Sequence, residues 1–423
     1  MNIGFMGLGK LGLPCALAIE HKGGHKVVGF DPDPNVARYI KERAIPYREV
    51  HVDTYLKTTK IEMRTVKQMV AESEIIFVPI QTPHLEKYEG ITRIPEERVD
   101  FNYNYLKRGI KELSTEIEAQ GEDKIVIIIS TVLPGTIRRE IMPLLGEHTK
   151  LCYNPFFIAM GTTINDFLEP EFVLFGVDDD RAAYKAEEFY KTIHNKPFAK
   201  MSIESAELTK VAYNTIITSK ITIANTLMEI CHKIPGANVD DVTSALKLAT
   251  ERIVSPKYMD AGMGDGGGCH PRDNIALSWL ARKLELSHDI YDNLMMAREH
   301  QTDWLADLII EELKKEPNWS MLLPIQILGK SFKPETNLTV GSPAVLLSNL
   351  LEERGFRAEM WDPHVDGKSR KLWFRPHIYF IGTKHEAFRD VSFHKGSIVL
   401  DPFRYIPEQE GVKIIYIGES SIL

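Results

Sequence analysis

The chain has 423 residues, more than one hydrophobic core usually supports, so two or three domains are expected. Hydrophobic residues make up 43% and charged residues 26% with no long polar tract, a balance that excludes a disordered chain. A formal net charge of -8 without a Lys/Arg cluster argues against a nucleic-acid partner, which many cationic contacts would have to hold.

Met1 to Phe5 runs directly into an apolar strand with no basic leader, and apolar runs such as Ile125 to Ile129 fall short of the roughly 20 residues of a membrane span. The expectation is a cytoplasmic protein without a membrane partner. The cysteines Cys15, Cys152, Cys231 and Cys269 lack ligand-like spacing, so neither zinc nor a disulfide framework is indicated, and the first three read as core thiols. His21 and His25 stand at ligand-like spacing, but Gly23-Gly24 breaks a helix between them, so no metal site is expected.

In chain order, Asn2 to Met6 reads as a buried strand, followed by Gly7-Leu8-Gly9-Lys10-Leu11-Gly12 and a helix from Leu13 to His21. Strand, GxGxxG and helix form a pyrophosphate cradle in which the backbone turns tightly and helix N–H groups face the anion. The next strand, Lys26 to Phe30, ends in Asp31, an acid placed to accept from ribose hydroxyls and to repel a 2′-phosphate, so NAD is favoured over NADP. Strands at Ile75 to Val78, Ile125 to Ile129 and Phe172 to Phe175 alternate with helices such as Asn104 to Glu118, which predicts an α/β doubly wound sheet. Its cofactor lies at the carboxyl ends of the strands, bordered by the loops Pro79 to Pro83, with Thr82, and Ser130 to Thr136, with Thr131.

From Ser205 to about Lys233 no glycine or proline interrupts a helical apolar repeat, which predicts one long helix that spans two domains or forms a subunit interface. Lys210 and Asn214 share one of its faces. The stretch Gly262 to Asp273 then packs five glycines into seven residues before Cys269, His270, Pro271, Arg272 and Asp273. Ordering so many glycines is costly unless the backbone must approach something closely, and a cysteine there, beside a helix start, fits a thiolate nucleophile. Met295, Met296 and the aromatic residues near Trp304 read as packing. A last βαβ unit follows, with strands at Leu322 to Leu328, Arg357 to Trp361, Ile378 to Ile381, Ile398 to Leu400 and Val412 to Ile417, and a helix at Pro343 to Arg354.

The ordered set of motifs resembles the UDP-glucose/GDP-mannose dehydrogenase family over essentially the whole chain: the glycine turn with Asp31, Pro79 to Pro83, Ser130 to Thr136, Tyr153-Asn154-Pro155, Ala206 to Lys210 with Asn214, Arg252-Ile253, the Cys269 loop, Gly329 to Pro334, and Asp401 with Arg404. The resemblance implies an NAD-binding Rossmann domain over 1–200, a central helical region over 201–300 that makes a homodimer through the long helix, and a Rossmann-like nucleotide-sugar domain over 301–423, with Cys269 between the two. Gly7, Gly9, Leu11, Gly12, Asp31, Thr82, Pro83, Ser130 and Thr131 would hold NAD. Cys269 resembles the family's nucleophile, Lys210 and Asn214 its oxyanion stabilisers, and Asp273 and Thr131 the holders of its catalytic water. Asn154, Phe156, His270, Lys333 and Arg404 would line the substrate, and Arg252 resembles an arginine that reaches the neighbouring subunit's substrate.

The implied reaction oxidises a sugar primary alcohol to the acid through a thiohemiacetal and a thioester on Cys269. This chain departs from the pattern where the family has two acids, here Phe156 and Met160, and where it has an arginine, here Val340. His270 replaces an aromatic residue and Arg272 a lysine. Three readings stay open: full oxidation with Asp273 or His270 assisting water, a two-electron oxidation or acyl transfer without hydrolysis, and a nucleotide-sugar or NAD-binding protein without turnover. Phe156 and Met160 also predict a less polar sugar pocket, suited to a deoxy, acylated or N-acetylated sugar.

Overall fold

The computed structural model describes residues 1–250, 257–258, 260–283, 285, 289–315, 323–367 and 375–419. These divide into two compact units, one of Met1–Pro83 and Asp100–Ala212, the other of His84–Val99 and Tyr213–Leu423.

The first unit carries β1 (Asn2–Met6), β2 (Lys26–Phe30), β3 (Glu62–Met63), β4 (Ile75–Val78), β5 (Lys124–Ile128), β6 (Thr149–Tyr153), β7 (Val173–Gly176) and β8 (Phe198–Met201). Their order in one sheet is β3-β2-β1-β4-β5-β6-β7-β8. Neighbouring strands are parallel except at β6 and β7, which meet antiparallel at Tyr153 and Gly176. The helices are α1 (Gly12–Gly23), α2 (Pro34–Glu42), α3 (Val52–Leu56), α4 (Val66–Glu72), α5 (Asn104–Gln120), α6 (Thr163–Leu168) and α7 (Asp180–Lys191). β4 is buried along its whole length, as its unbroken apolar run requires in a sheet covered on both faces. The doubly wound sheet is as expected, but β6 and β8 escape the pattern because each mixes lysine into a short strand.

The helix α8 (Ile203–Lys233) starts two residues before the expected Ser205 and, at 31 residues, runs about 46 Å. The division between the units falls inside it, at Ala212 and Tyr213.

The second unit adds α9 (Val239–Lys247), α10 (His270–Lys283), α11 (Ile290–Lys315), α12 (Pro343–Glu353) and α13 (Glu386–Arg389). Its parallel sheet has the order β10-β9-β11-β12-β13, built from β9 (Ile325–Leu328), β10 (Ala358–Trp361), β11 (Ile378–Ile381), β12 (Ile398–Asp401) and β13 (Lys413–Tyr416). The expected strand start at Leu322 lies outside the described residues.

The unforeseen feature is the strap His84–Val99, which leaves the first unit after β4 and packs in the second. Tyr88 joins Ile275 and Met295 in a small core. Arg93 pairs with Glu299, Asp303 and Glu353, and the N–H of Ile94 donates to Glu299 at 2.7 Å.

Arg298, on α11, ties the strap to two further loops. Its Nε reaches the Asp265 carboxylate at 2.8 Å, Nη1 donates to the carbonyl of Gly90 at 3.1 Å, and Nη2 to that of Gly341 at 3.1 Å. Both members of the pair are almost fully buried, so removing one leaves an uncompensated charge away from water. Arg298→Met should therefore cost about 3–5 kcal/mol in denaturant unfolding. A loss below about 1 kcal/mol, the range of an exposed pair, would show that the three loops are held by something else.

Candidate functional site

In the first unit the glycine turn closes as a nucleotide cradle. The N–H of Gly7 donates to the carbonyl of Phe30 at 2.8 Å, and the N–H of Leu8 to Asp31 Oδ2 at 2.7 Å. A Cβ on Gly12 would lie 2.2 Å from the Gly7 carbonyl oxygen, so that glycine is required by the protein itself. A Cβ on Gly9 would meet nothing within 4 Å. The chain does not need Gly9 for packing, which leaves close approach of a pyrophosphate as the reason for it. Leu11 packs against the core beneath the turn, while Asp31 is half-buried with lone pairs left for ribose hydroxyls.

At the carboxyl ends of β4 and β5, Thr82 donates to the carbonyl of Thr131 at 2.7 Å and Ser130 to that of Ile80 at 2.5 Å. The hydroxyls of Thr82 and Ser130 thus join the two loops expected to border the cofactor, with Pro83 accepting from the N–H of Asn102 at 3.1 Å.

Asn154 is 1% exposed, its Nδ2 donates to the carbonyl of Leu174 at 2.9 Å, and its Oδ1 accepts from the hydroxyl of Tyr190. Its amide thus joins β6, β7 and α7 with partners at both ends, while the residue borders a small cleft. Phe156 packs against Phe167 with ring centroids 5.4 Å apart and planes tilted by 57°, and shares a small cleft with Phe157, Ile158 and Phe172. A carboxylate among these rings would lose its hydration, which explains why an apolar residue suits the position. Lys210, buried, holds its ammonium 5.3 Å over the ring of Phe157.

In the second unit Cys269 immediately precedes α10, and its carbonyl accepts from the N–H of Asp273 at 2.8 Å. It is half-buried, whereas Cys15, Cys152 and Cys231 are buried. Burial pushes the Cys152 thiol up to about 12, as suits an inert core residue. Asp273 is fully buried: one carboxylate oxygen accepts from the amide of Asn214, the other from Arg272 at 3.0 Å and 3.1 Å. Thus Asn214 and Asp273 are brought together, as the sequence reading required, with Arg272 as an unforeseen third member.

One turn along α8, Thr218 donates to Asp265 at 3.0 Å, accepts from Asn274 at 3.3 Å, and lies 2.9 Å from Nδ1 of His270. The hydroxyl proton is committed to Asp265, so the His270 contact needs Nδ1 to carry hydrogen. That leaves Nε2 with its lone pair. Sequence reasoning missed Thr218, Asp265 and Arg298, because each is an ordinary residue until the loop folds over it. Asp265 and Arg298 also line a cavity of about 280 Å³ with Asn225, Glu229, Gln301 and Trp304.

The glycines of the cysteine loop have a structural cause as well. A Cβ on Gly267, whose φ is +82°, would sit 3.0 Å from the ring of Phe332, and one on Gly341 would sit 2.5 Å from the Gly267 carbonyl oxygen. Val340 lies against Gly268. The loop therefore closes on protein, not only on a ligand.

Arg404 is placed differently from its expected role on the sugar nucleotide. Its side chain is 4% exposed, pairs with Asp240 at 2.7 Å and 3.0 Å, and donates to the carbonyls of Ala261 and Ile417 at 3.0 Å each. With Nε, Nη1 and Nη2 all engaged, it joins α9 to the turn after β12. Lys333 is half-buried in the loop after β9. Arg252 lies outside the described residues.

A Rossmann turn that favours NAD and a cysteine at a helix start define a dinucleotide-dependent dehydrogenase. The family model for the UDP-glucose/GDP-mannose dehydrogenase NAD binding domain matches residues 1–194, and that for the central domain residues 204–299. The chain is 27% identical over 379 residues to GDP-mannose 6-dehydrogenase of Pseudomonas aeruginosa, covering 86% of this chain and 82% of that one. It is 28% identical over 387 residues to UDP-glucose 6-dehydrogenase of Rhizobium meliloti, covering 88% and 84%. A UDP-glucose dehydrogenase from Pyrobaculum islandicum shares the fold with a TM-score of 0.85 at 24% identity, over 99% of this chain and 98% of that one. The chain belongs to the UDP-glucose/GDP-mannose dehydrogenase family, and it is an NAD-dependent oxidoreductase of nucleotide sugars. Among the described residues no helix is long and apolar enough to cross a membrane.

His84 opens the strap, with its ring edge-on to Tyr88 at 5.8 Å. Burial, then the nearby Arg272 charge, push its imidazole down to about 4 against the pull of Asp273. The unfolded chain takes a proton at residue 84 below about pH 6.5, which the folded chain refuses until about pH 4. Stability from this group is therefore complete above pH 6.5 and is lost as pH falls toward 4, by up to about 3 kcal/mol. Denaturant unfolding from pH 7 to 4.5 should show a smaller acid loss in His84→Gln than in the wild type; parallel curves would remove His84 as the cause.

Proposed function

We propose that this protein oxidises the primary alcohol of a UDP- or GDP-linked sugar to the uronic acid, with Cys269 as the covalent nucleophile. In this reading residues 1–200 bind NAD, 201–300 carry the nucleophile, and 301–423, including Lys333, bind the nucleotide sugar. The observation that carries it is Cys269 at the start of α10, with Asp273 in the first turn of that helix accepting from Asn214 of α8.

NAD, when bound at the turn Gly7 to Gly12 and Asp31, would supply the hydride acceptor for both oxidations. The Cys269 thiolate adds to the aldehyde carbon left by the first, forming a thiohemiacetal that keeps the reactive aldehyde from escaping. The second hydride loss leaves a thioester on Cys269, and water then adds to its carbonyl carbon, the C–S bond breaks, and the acid departs with the thiolate restored. Lys210 and the amide of Asn214 stabilise the oxyanions of these steps. Thr131 and Asp273 help to hold the water.

Water must lose a proton as it attacks, and neither Phe156 nor Met160 can take it. His270 fills that role here: Thr218, anchored by Asp265, keeps hydrogen on Nδ1 and leaves Nε2 as the acceptor. The apolar packing of Phe156 favours a second reading, in which the thioester is not hydrolysed and the reaction stops after one oxidation or passes the acyl group to another acceptor. The Phe156 and Phe157 rings also favour a sugar with an acyl, N-acetyl or deoxy position.

The test is NADH formed per sugar consumed across UDP-, GDP- and dTDP-sugars, for wild type, Cys269→Ser and His270→Gln. Two NADH and a free acid are expected from wild type and none from Cys269→Ser. His270→Gln should release acid on the order of 100-fold more slowly and accumulate acyl mass on Cys269. One NADH per sugar from wild type would establish the second reading, and unchanged hydrolysis in His270→Gln would remove that residue.

The long helix also supports a homodimer. Ile216, Ile223 and Ile230, seven residues apart, are 63%, 56% and 46% exposed, an apolar stripe at a helical repeat that a second copy of this chain would cover. Ile223→Glu should shift the sedimentation coefficient of a dimer to that of a monomer at micromolar concentration, and a wild type that sediments as a monomer would end the proposal. The protein is taken to work in the cytoplasm.

A further inference from the structure

We propose that Glu335, His364 and His385 form a binding site for a divalent transition-metal cation of the Zn2+ type in the second unit. The order β10-β9-β11 makes the loops after these three strands neighbours at the carboxyl edge of the sheet, and each loop supplies one ligand. Their ligand atoms all lie within 4.8 Å of one another. His364 Nε2 is 3.1 Å from one oxygen of Glu335, and His385 Nδ1 is 3.6 Å from the other. Ligands about 2.0–2.1 Å from a tetrahedral zinc stand about 3.4 Å apart, so the three groups are near enough to converge on one ion through a single Glu335 oxygen after small side-chain rotations.

A second observation concerns His385, which is fully buried. Its Nε2 lies 3.0 Å from Asp362 Oδ2, and that oxygen also accepts from the N–H groups of Lys330 at 2.7 Å and Ser331 at 2.9 Å. With the carboxylate on Nε2 and the N–H of Glu335 donating to Nδ1, the hydrogen sits on Nε2 and the Nδ1 lone pair points toward Glu335. This is how a metal-binding histidine is oriented by a carboxylate behind it. In the metal-free chain that lone pair accepts from the N–H of Glu335 at 3.0 Å. A cation would take that lone pair in place of the N–H of Glu335.

The proposed site departs from the expectation of no metal read from the sequence. Spacing along the chain conceals it, since its ligands come from three separate loops. A bound ion clamps the loop that also carries Lys333, two residues before Glu335.

The experiment uses the full chain as Cys269→Ser, which removes the half-buried thiol as a competing ligand, stripped with EDTA and titrated with Co2+ and then Zn2+. One Co2+ per chain with the visible absorption of a tetrahedral nitrogen–oxygen site is expected, displaced by Zn2+. His364→Ala and Glu335→Gln should each weaken binding by at least about 10–100-fold while leaving the circular dichroism unchanged. Absence of saturable binding, or equal binding in the two variants, would overturn the site. Neither outcome depends on turnover, so failure here is separable from failure of the proposed reaction.

Discussion

The buried pair of Asp265 and Arg298 organises the second unit. A loop with five glycines before Cys269 has few side chains with which to hold itself, and its backbone entropy opposes any one conformation. Arg298 answers this with one planar group that neutralises the Asp265 carboxylate as an ion pair and donates to the carbonyls of Asp265, Gly90 and Gly341 at once. The strap, the cysteine loop and the loop after β9 are thereby set by a single guanidinium. Such a pair contributes little net stability compared with well-packed apolar residues, and its value lies in geometry.

The same carboxylate extends further through the second unit. Asp265 accepts from Thr218, and Thr218 meets the imidazole of His270, the residue after Cys269. In the first unit Phe156 packs among rings in an apolar cleft.

The two sheets use one device twice. Gly7 and Gly329 both have φ beyond +100°, each donating its N–H at 2.8 Å to the strand beside it, and the residue after each donates at 2.7 Å to the acid that closes that strand, Asp31 or Asp362. What differs is the space above the turn. Open space at Gly9 suits a dinucleotide, while in the second sheet His385 stands on the acid itself.

Local pattern was enough for the strands β1, β2, β4 and β11, for α8 and for the glycine turn with Asp31, because each depends on residues close in sequence: apolar period, absence of glycine and proline, and backbone turns that only glycine permits. The motif order carried Cys269, Asn214 and Asp273 toward one another. Which polar groups would face a ligand could not be read that way. Asn154 and Arg404 carry the right chemistry for substrate binding, yet both spend their hydrogen bonds on backbone carbonyls and on Tyr190 and Asp240. Thr218, Arg298, His385 and the strap acquire meaning only through contacts between residues far apart in the chain. The sequence determined the elements and the chemical inventory; the tertiary structure decided which donors and acceptors were already satisfied, because a buried polar group takes whatever partner the fold brings within reach.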